Sequence, residues 1–303
     1  MKYRRLFLLG ALAVMLAGGL CAAQFRGGRG FGGGGRRAGE FLAGDEPIQP
    51  LPPDREGTPN WSLDPHFKSD AFTFVRLRFT NGSRSRFIGG FGNGTGTSWL
   101  NDWPNADLNL SFRLQQMTSM KVNPDPLQLE ITDPRLFDYP FAFMLQVGRL
   151  QFTDEEVKIL RRYLLNGGFL VVDDHWGPDK EGWRQQMKRV FPERDSIELP
   201  PEHPIFHCVF DLKKKPQIPT LQLWYRYAEL GEPNHTWRND IDPGPHYRAI
   251  FDGKNRLMVL ECADTDTGDA WEREGENEEY FHLFSETQAY PLAINIIFYA
   301  MTH

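Results

Sequence analysis

Cysteine is scarce in this 303-residue chain, which has only Cys21, Cys208 and Cys262. One of the three lies in an apolar N-terminal segment, so neither a disulfide framework nor a zinc ribbon is available. The other two sit inside apolar runs and are expected as buried thiols. No Gly-x-Ser-x-Gly elbow, Walker loop or dinucleotide fingerprint occurs, which removes the usual hydrolase and nucleotide-binding signatures. Gly89-Gly90-Phe91-Gly92-Asn93-Gly94 is glycine-rich, but no helix start with a Lys-Ser/Thr pair follows it. Phosphate cradling therefore has no support. Basic stripes are missing beyond the N-terminal tract and the formal net charge is −6, so nucleic acid is not an expected partner. There is no internal repeat. No apolar run has the length and flanks of a membrane span, so the chain is not expected to be an integral membrane protein once a leader is removed.

What is present begins with such a leader. Lys2, Arg4 and Arg5 precede the apolar stretch Leu6 to Leu20, and Cys21-Ala22-Ala23 ends it with small residues. This is the pattern of a bacterial-type secretory signal cleaved after Ala23. Acylation of Cys21 is the weaker reading, because Gly19-Leu20 makes a poor lipobox. The expected location is periplasmic or secreted. Residues 24–70 follow as a Gly/Arg-rich and Pro-rich linker that is expected to be disordered, with RGGRGFGGGGRR (Arg26 to Arg37) unable to build a core. Residues 71–303 are enough for one sizeable domain.

Within that domain, apolar runs alternate with helical patterns. Phe72 to Phe79 alternates as a first strand. Ala106 to Met117 is an amphipathic helix, and Leu127 to Ile131 a short strand ending in Thr132-Asp133-Pro134. Phe141 to Val147 is continuously apolar, as a strand buried on both faces should be. Thr153 with Glu156 three residues later is a capping box, and the helix it opens ends at Gly167-Gly168. Phe169 to Val172 is the next buried strand. Lys180 to Val190 is a helix and Ile197 to Leu199 a short strand, and Arg248–Asp252 pairs with Leu257–Cys262. Gln288 to Met301 closes the chain as a helix. This order predicts an α/β layered domain, mostly parallel, with helices on both faces and an antiparallel edge.

Ligands in open α/β sheets bind beyond the carboxyl ends of the strands, which makes Asp173, Asp174, His175 and Trp176 the first candidates. Adjacent residues on a strand face opposite ways, so one of the two carboxylates is expected to reach a site. Asp174 and His175 are the catalytic pair if the protein is an enzyme, acting by acid/base chemistry or on a metal. Asp133, at the end of the preceding strand, is a further ligand-binding candidate that can point into the same crevice, and capping or turn hydrogen bonds are the structural alternative for all three aspartates. Asp264-Thr265-Asp266-Thr267-Gly268-Asp269 has the order of half a calcium loop. The bidentate Glu at its twelfth position is missing, since Gly275 stands there. His203 and His207 are spaced for zinc only on a helix, and Pro204 argues against one. His235, Trp237, His246 and Tyr247 are read as anchors of a polar insertion. No metal and no cofactor is assigned.

Several segments together resemble one bacterial family. They are Phe137-Asp138-Tyr139-Pro140-Phe141, the Thr-Asp-Glu-Glu helix start, Tyr163-Leu164-x-x-Gly167-Gly168-Phe169-Leu170, Asp173-Asp174, Phe191-Pro192 and His203-Pro204-Ile205-Phe206. As a set they look like the domain-of-unknown-function 4159 family, from about Phe72 to His303. The resemblance implies the class I glutamine-amidotransferase-like, flavodoxin-like fold and no particular activity. It also adds Asp269, Trp271 and Glu272 as ligand-binding candidates, because relatives carry an acidic-Gly-Asp-x-Trp-Glu segment there. Two departures matter. The loop Asp173 to Gly177 has no cysteine nucleophile, which rules out glutaminase chemistry. Gln146-Val147-Gly148 stands where relatives carry Gly-His-Gly. The expectation is a non-catalytic binding or assembly module for a protein or glycan, with a glycan or peptide hydrolase as the alternative.

Overall fold

The computed structural model describes residues 48–81, 98–238 and 242–303. The expected leader, the Gly/Arg tract and most of the glycine-rich loop lie outside the described residues. The carboxyl part of the expected linker is tied to the domain. Trp61 Nε1 donates to the Val122 carbonyl (2.8 Å), the Thr58 hydroxyl donates to Asn109, and the Arg55 guanidinium pairs with Asp125.

Seven strands form one sheet in the order β2-β1-β3-β4-β7-β6-β5. They are β1 (Val75–Arg78), β2 (Leu127–Glu130), β3 (Phe141–Leu145), β4 (Phe169–His175), β5 (Ile197–Glu198), β6 (His246–Phe251) and β7 (Leu257–Ala263). β2, β1, β3, β4 and β7 run parallel, and β6 and β5 add the antiparallel edge. With β7 counted fifth, the parallel strands follow the flavodoxin order, whose switch point lies between the first and third strands. The hairpin β6–β7 was expected at the edge; in fact β7 is central, paired with β4 on its other side.

Two hydrophobic cores lie on the two faces, as a sheet covered on both sides requires. One face carries α1 (Asn105–Met117), α4 (Leu221–Glu229), α5 (Thr267–Glu272) and the closing helix α6 (Tyr290–Thr302), through Leu110, Leu114, Trp224, Trp271 and Ile294. The other carries α2 (Asp154–Leu165) and α3 (Asp179–Val190), through Leu160, Leu164, Trp183 and Met187. Thr153 and Glu156 form the expected capping box on α2. A π-helical segment, Phe281–Ala289, runs into α6. Pro204–Phe206 is a 3-10 turn. Among the described residues, no helix is long and apolar enough to cross a membrane.

β1 departs from simple alternation. All four of its residues are buried, Arg76 and Arg78 included. Arg76 donates to Asp107 of α1 through Nε (3.0 Å) and Nη2, and to the carbonyls of Trp99 (3.0 Å) and Asn101 (2.6 Å) through Nη1. Arg76 also sits opposite Phe143 of β3. A buried ion pair thus fastens the Trp99–Pro104 turn across the first and third parallel strands.

Candidate functional site

The carboxyl rim of β3, β4 and β7 carries unusual backbone. Gln146 (φ 51°), Asp174 (φ 48°) and Asp264 (φ 56°) are left-handed, as is Asp102 (φ 60°) in the turn that Arg76 fastens. Non-glycine residues in this conformation cost energy and gather at functional sites.

On β4 the register to β7 shifts between Val172 and His175. Such a bulge re-aims the side chains around it. Asp173 faces α5, and its Oδ2 accepts from Thr267 N (2.8 Å), Thr267 Oγ1 (2.6 Å) and Gly268 N (2.9 Å). Asp174 is turned along the rim, where its Oδ2 accepts from Gln146 Nε2 (2.8 Å) and its Oδ1 from Trp176 Nε1 (2.7 Å). The left-handed Asp174 and the shifted register break simple alternation at this point of the strand. Asp174 opposes the ionisation of Asp173, Asp102, Asp266 and Asp269. His175 goes elsewhere. Its Nε2 lies 3.1 Å from Glu261 Oε1, with Arg184 of α3 at 3.9 Å from the same oxygen. Glu261 alternates with Val259 of the α2/α3 core, so the expected Asp174–His175 pair is divided between the two faces.

The rim's other carboxylates come from α5 and the Trp99–Pro104 turn. Asp266 caps α5 by accepting from Asp269 N (2.9 Å), and Asp269 Oδ2 accepts from Leu221 N at the start of α4. Asp102 is 5% exposed. Its Oδ1 accepts from Asn101 Nδ2 (2.6 Å), and its Oδ2 has no partner among the described residues. A Cβ at position 268 would stand 2.5 Å from that oxygen, so the close approach requires Gly268. Asp102, Asp269 and Glu272 each place a carboxylate oxygen within 4.8 Å of the others. Arg273 is the nearby counter-charge, with Nε 2.7 Å from Glu272 and 3.4 Å from Asp269.

Burial and mutual repulsion hold these groups toward the protonated form. Burial raises Asp102 well above the usual carboxylate range, with Glu272, Asp269 and Asp174 adding to it. Asp266 is raised in the same way, first by burial and then by Asp174. Burial raises Asp269, with the Leu221 amide opposing. Asp173 is pushed up to about 7 by burial, against the Thr267 hydrogen bond that favours its ionised form. Glu272 is pushed up to about 7 by burial, against Arg273.

A second trio, Asp242, His246 and Asp264, lies beside this rim. Lys180 of α3 already neutralises it, pairing with Asp264 and, at 3.2 Å, with Asp242.

The remaining candidates have structural partners. Asp133 accepts from Arg135 N (2.9 Å) and pairs with the Arg135 side chain, which lowers its pKa. Trp271 is buried with its ring 5.8 Å from that of Phe143, a core anchor beneath the rim. Trp176 stays at the rim, with the Arg238 guanidinium 4.3 Å above its ring. His235 is stacked between Tyr227 and Trp237, as an anchored loop requires. His203 caps the 3-10 turn and His207 pairs with Asp211. The two cysteines among the described residues are free; Cys262 is buried, whereas Cys208 is exposed, contrary to expectation.

Sequence reasoning missed Asp102 and the roles of Asp264 and Lys180. Asp266 lay in the acidic segment that was noted, and its spacing to Asp269 is a capping signature. Asp102 offers no such local signal.

A family model described as a domain of unknown function (DUF4159) matches residues 89–301, which include this rim. No curated protein matches the chain.

Proposed function

We propose, for a chain that belongs to the domain of unknown function family DUF4159, a non-catalytic binding or assembly role outside the cytoplasm, exercised at the acidic rim of the sheet. The observation that carries this reading is the withdrawal of His175 to Glu261, which leaves Asp174 bonded to Gln146 and Trp176 rather than to a base or nucleophile. The strand order β2-β1-β3-β4-β7 supports descent from an amidotransferase-like, flavodoxin-like ancestor, and the loop Asp173 to Gly177 lacks that chemistry's cysteine. The N-terminal signal pattern supports export, with cleavage after Ala23.

The partner is a protein or a glycan, met by the exposed Arg238, which covers the buried Trp176 ring, and by Glu272. The test uses peptidoglycan fragments, which carry both glycan and peptide. The full chain is immobilised, binding is followed optically, and the fragments are recovered and chromatographed. Saturable binding with unchanged fragments, weakened at least tenfold by Trp176→Ala, is the expected result. Cleaved fragments would establish the hydrolase instead. One observation favours that second reading: Glu272, pushed up to about 7 and partly open to solvent, is poised as a general acid. Cleavage that disappears in Glu272→Gln would make it so.

A further inference from the structure

We propose that Asp102, Asp269 and Glu272 form a binding site for a hard divalent cation of the Ca2+, Mg2+ or Mn2+ class. The sequence alone assigns no metal to this chain; the geometry points to one. The donors are all carboxylate oxygens, the ligand set of hard cations. Their mutual spacing, within 4.8 Å, suits an ion that holds oxygens at about 2.0 to 2.6 Å from its centre.

The independent observation is Asp102 itself. It is 5% exposed, it is held in a left-handed conformation, and its Oδ2 has no hydrogen-bond partner among the described residues. A buried carboxylate oxygen without a partner is costly and calls for a missing one. Gly268 leaves the space that lets this oxygen reach the cluster. The Arg76 hydrogen bonds to Trp99 O and Asn101 O hold the turn, so the site is built rather than fortuitous. Glu272 Oε2 also lacks a hydrogen-bond partner, although Arg273 Nε lies 2.7 Å away. Arg273 keeps Glu276 as a second partner at 2.9 Å, so it can yield Glu272 to an ion. The neighbouring trio differs in that its two aspartates are bonded to Lys180 and His246 and are absent from the buried oxygens without partners, where Asp102 Oδ2 stands.

The inference takes from the binding reading only that this rim is the functional edge. Its test uses the ions alone, with no glycan or peptide, so the two can fail separately. CaCl2, MgCl2 and MnCl2 are titrated into the chelator-stripped full chain, followed by calorimetry and by thermal unfolding. At least one ion should bind saturably and raise the midpoint by mass action. Asp102→Asn should weaken that binding at least tenfold. Its metal-free midpoint should equal or exceed that of the wild type, because asparagine tolerates the left-handed backbone and stays neutral beside the other carboxylates. A residue needed only for structure would lower the midpoint instead. Glu272→Gln, at a more open position, gives the same readout if the first variant does not fold. No response to any of the three ions, or an unchanged titration in the folded variants, would overturn the site.

Discussion

Arg76 shows how a single side chain can organise the rim without touching a ligand. Its guanidinium is spent on Asp107 and on the carbonyls of the turn that carries Asp102. Both partners are essentially without solvent contact. Removing one half of such a pair strands the other charge, which costs about 3 to 5 kcal/mol. Arg76→Met should therefore lower the urea-unfolding free energy by about that much. Arg76→Met with Asp107→Leu should recover most of the loss. Equal losses in the single and double variants would mean that the pair is not the source. The sequence shows Arg76 only as a polar residue within an alternating strand. Its true place depends on Asp107, 31 positions away on another element, and nothing in a local pattern carries that information. Asp102 was illegible for the same reason: its neighbours at the rim come from α5.

At the scale of elements, long periodic segments were readable and short ones were not. The runs at β3 and β4, the capped α2, and α1 and α3 came from hydrophobic spacing and caps, because many residues vote together. α5 was read as an acidic loop because its six residues (Thr267–Glu272) are too few to show a period. The bulge in β4 was likewise silent, since its cause is the pairing with β7. Some contacts between elements are nevertheless tight enough to test. A side chain at Gly182 of α3 would run into the carbonyl of Gly148, in the turn after β3. The backbone there has no flexible tip that can move aside. Gly182→Ala should therefore destabilise the fold, by about 1 to 3 kcal/mol as for overpacking, despite alanine's better helix propensity. Thr153→Ala should cost about 1 kcal/mol by removing one half of the capping box. A more stable Gly182→Ala protein would show that α3 stands off from the Gly148 turn.

For the whole molecule, concentrating acid on one rim should set the pH dependence of stability. Asp173 is pushed up to about 7 in the folded state, against about 3.9 in an unfolded chain. The folded protein therefore keeps a proton that the unfolded chain releases between about pH 4 and pH 7. Protons are then in excess on the folded side, so the contribution is full below about pH 4 and is lost as pH rises through about 7. Asp102, Asp266 and Asp269, also raised, act in the same direction. Asp133 and Asp252, held low by Arg135 and by the Arg256 and Lys254 amides, act oppositely, but their effect is confined to more acid solution. The chelator-treated protein should thus unfold at a higher temperature at pH 5.5 than at pH 8. Asp173→Asn should flatten that slope while keeping the fold. The amide oxygen can take the place of Oδ2 and accept from Thr267 and Gly268, and the amide nitrogen replaces the unpartnered Oδ1. A midpoint that rises from pH 5.5 to pH 8 would mean that the three donors on Asp173 outweigh its burial and keep it ionised. A saturating divalent ion should diminish the slope as well, because a cation at Asp102, Asp269 and Glu272 supplies at pH 8 the charge balance that protons supply at pH 5.5.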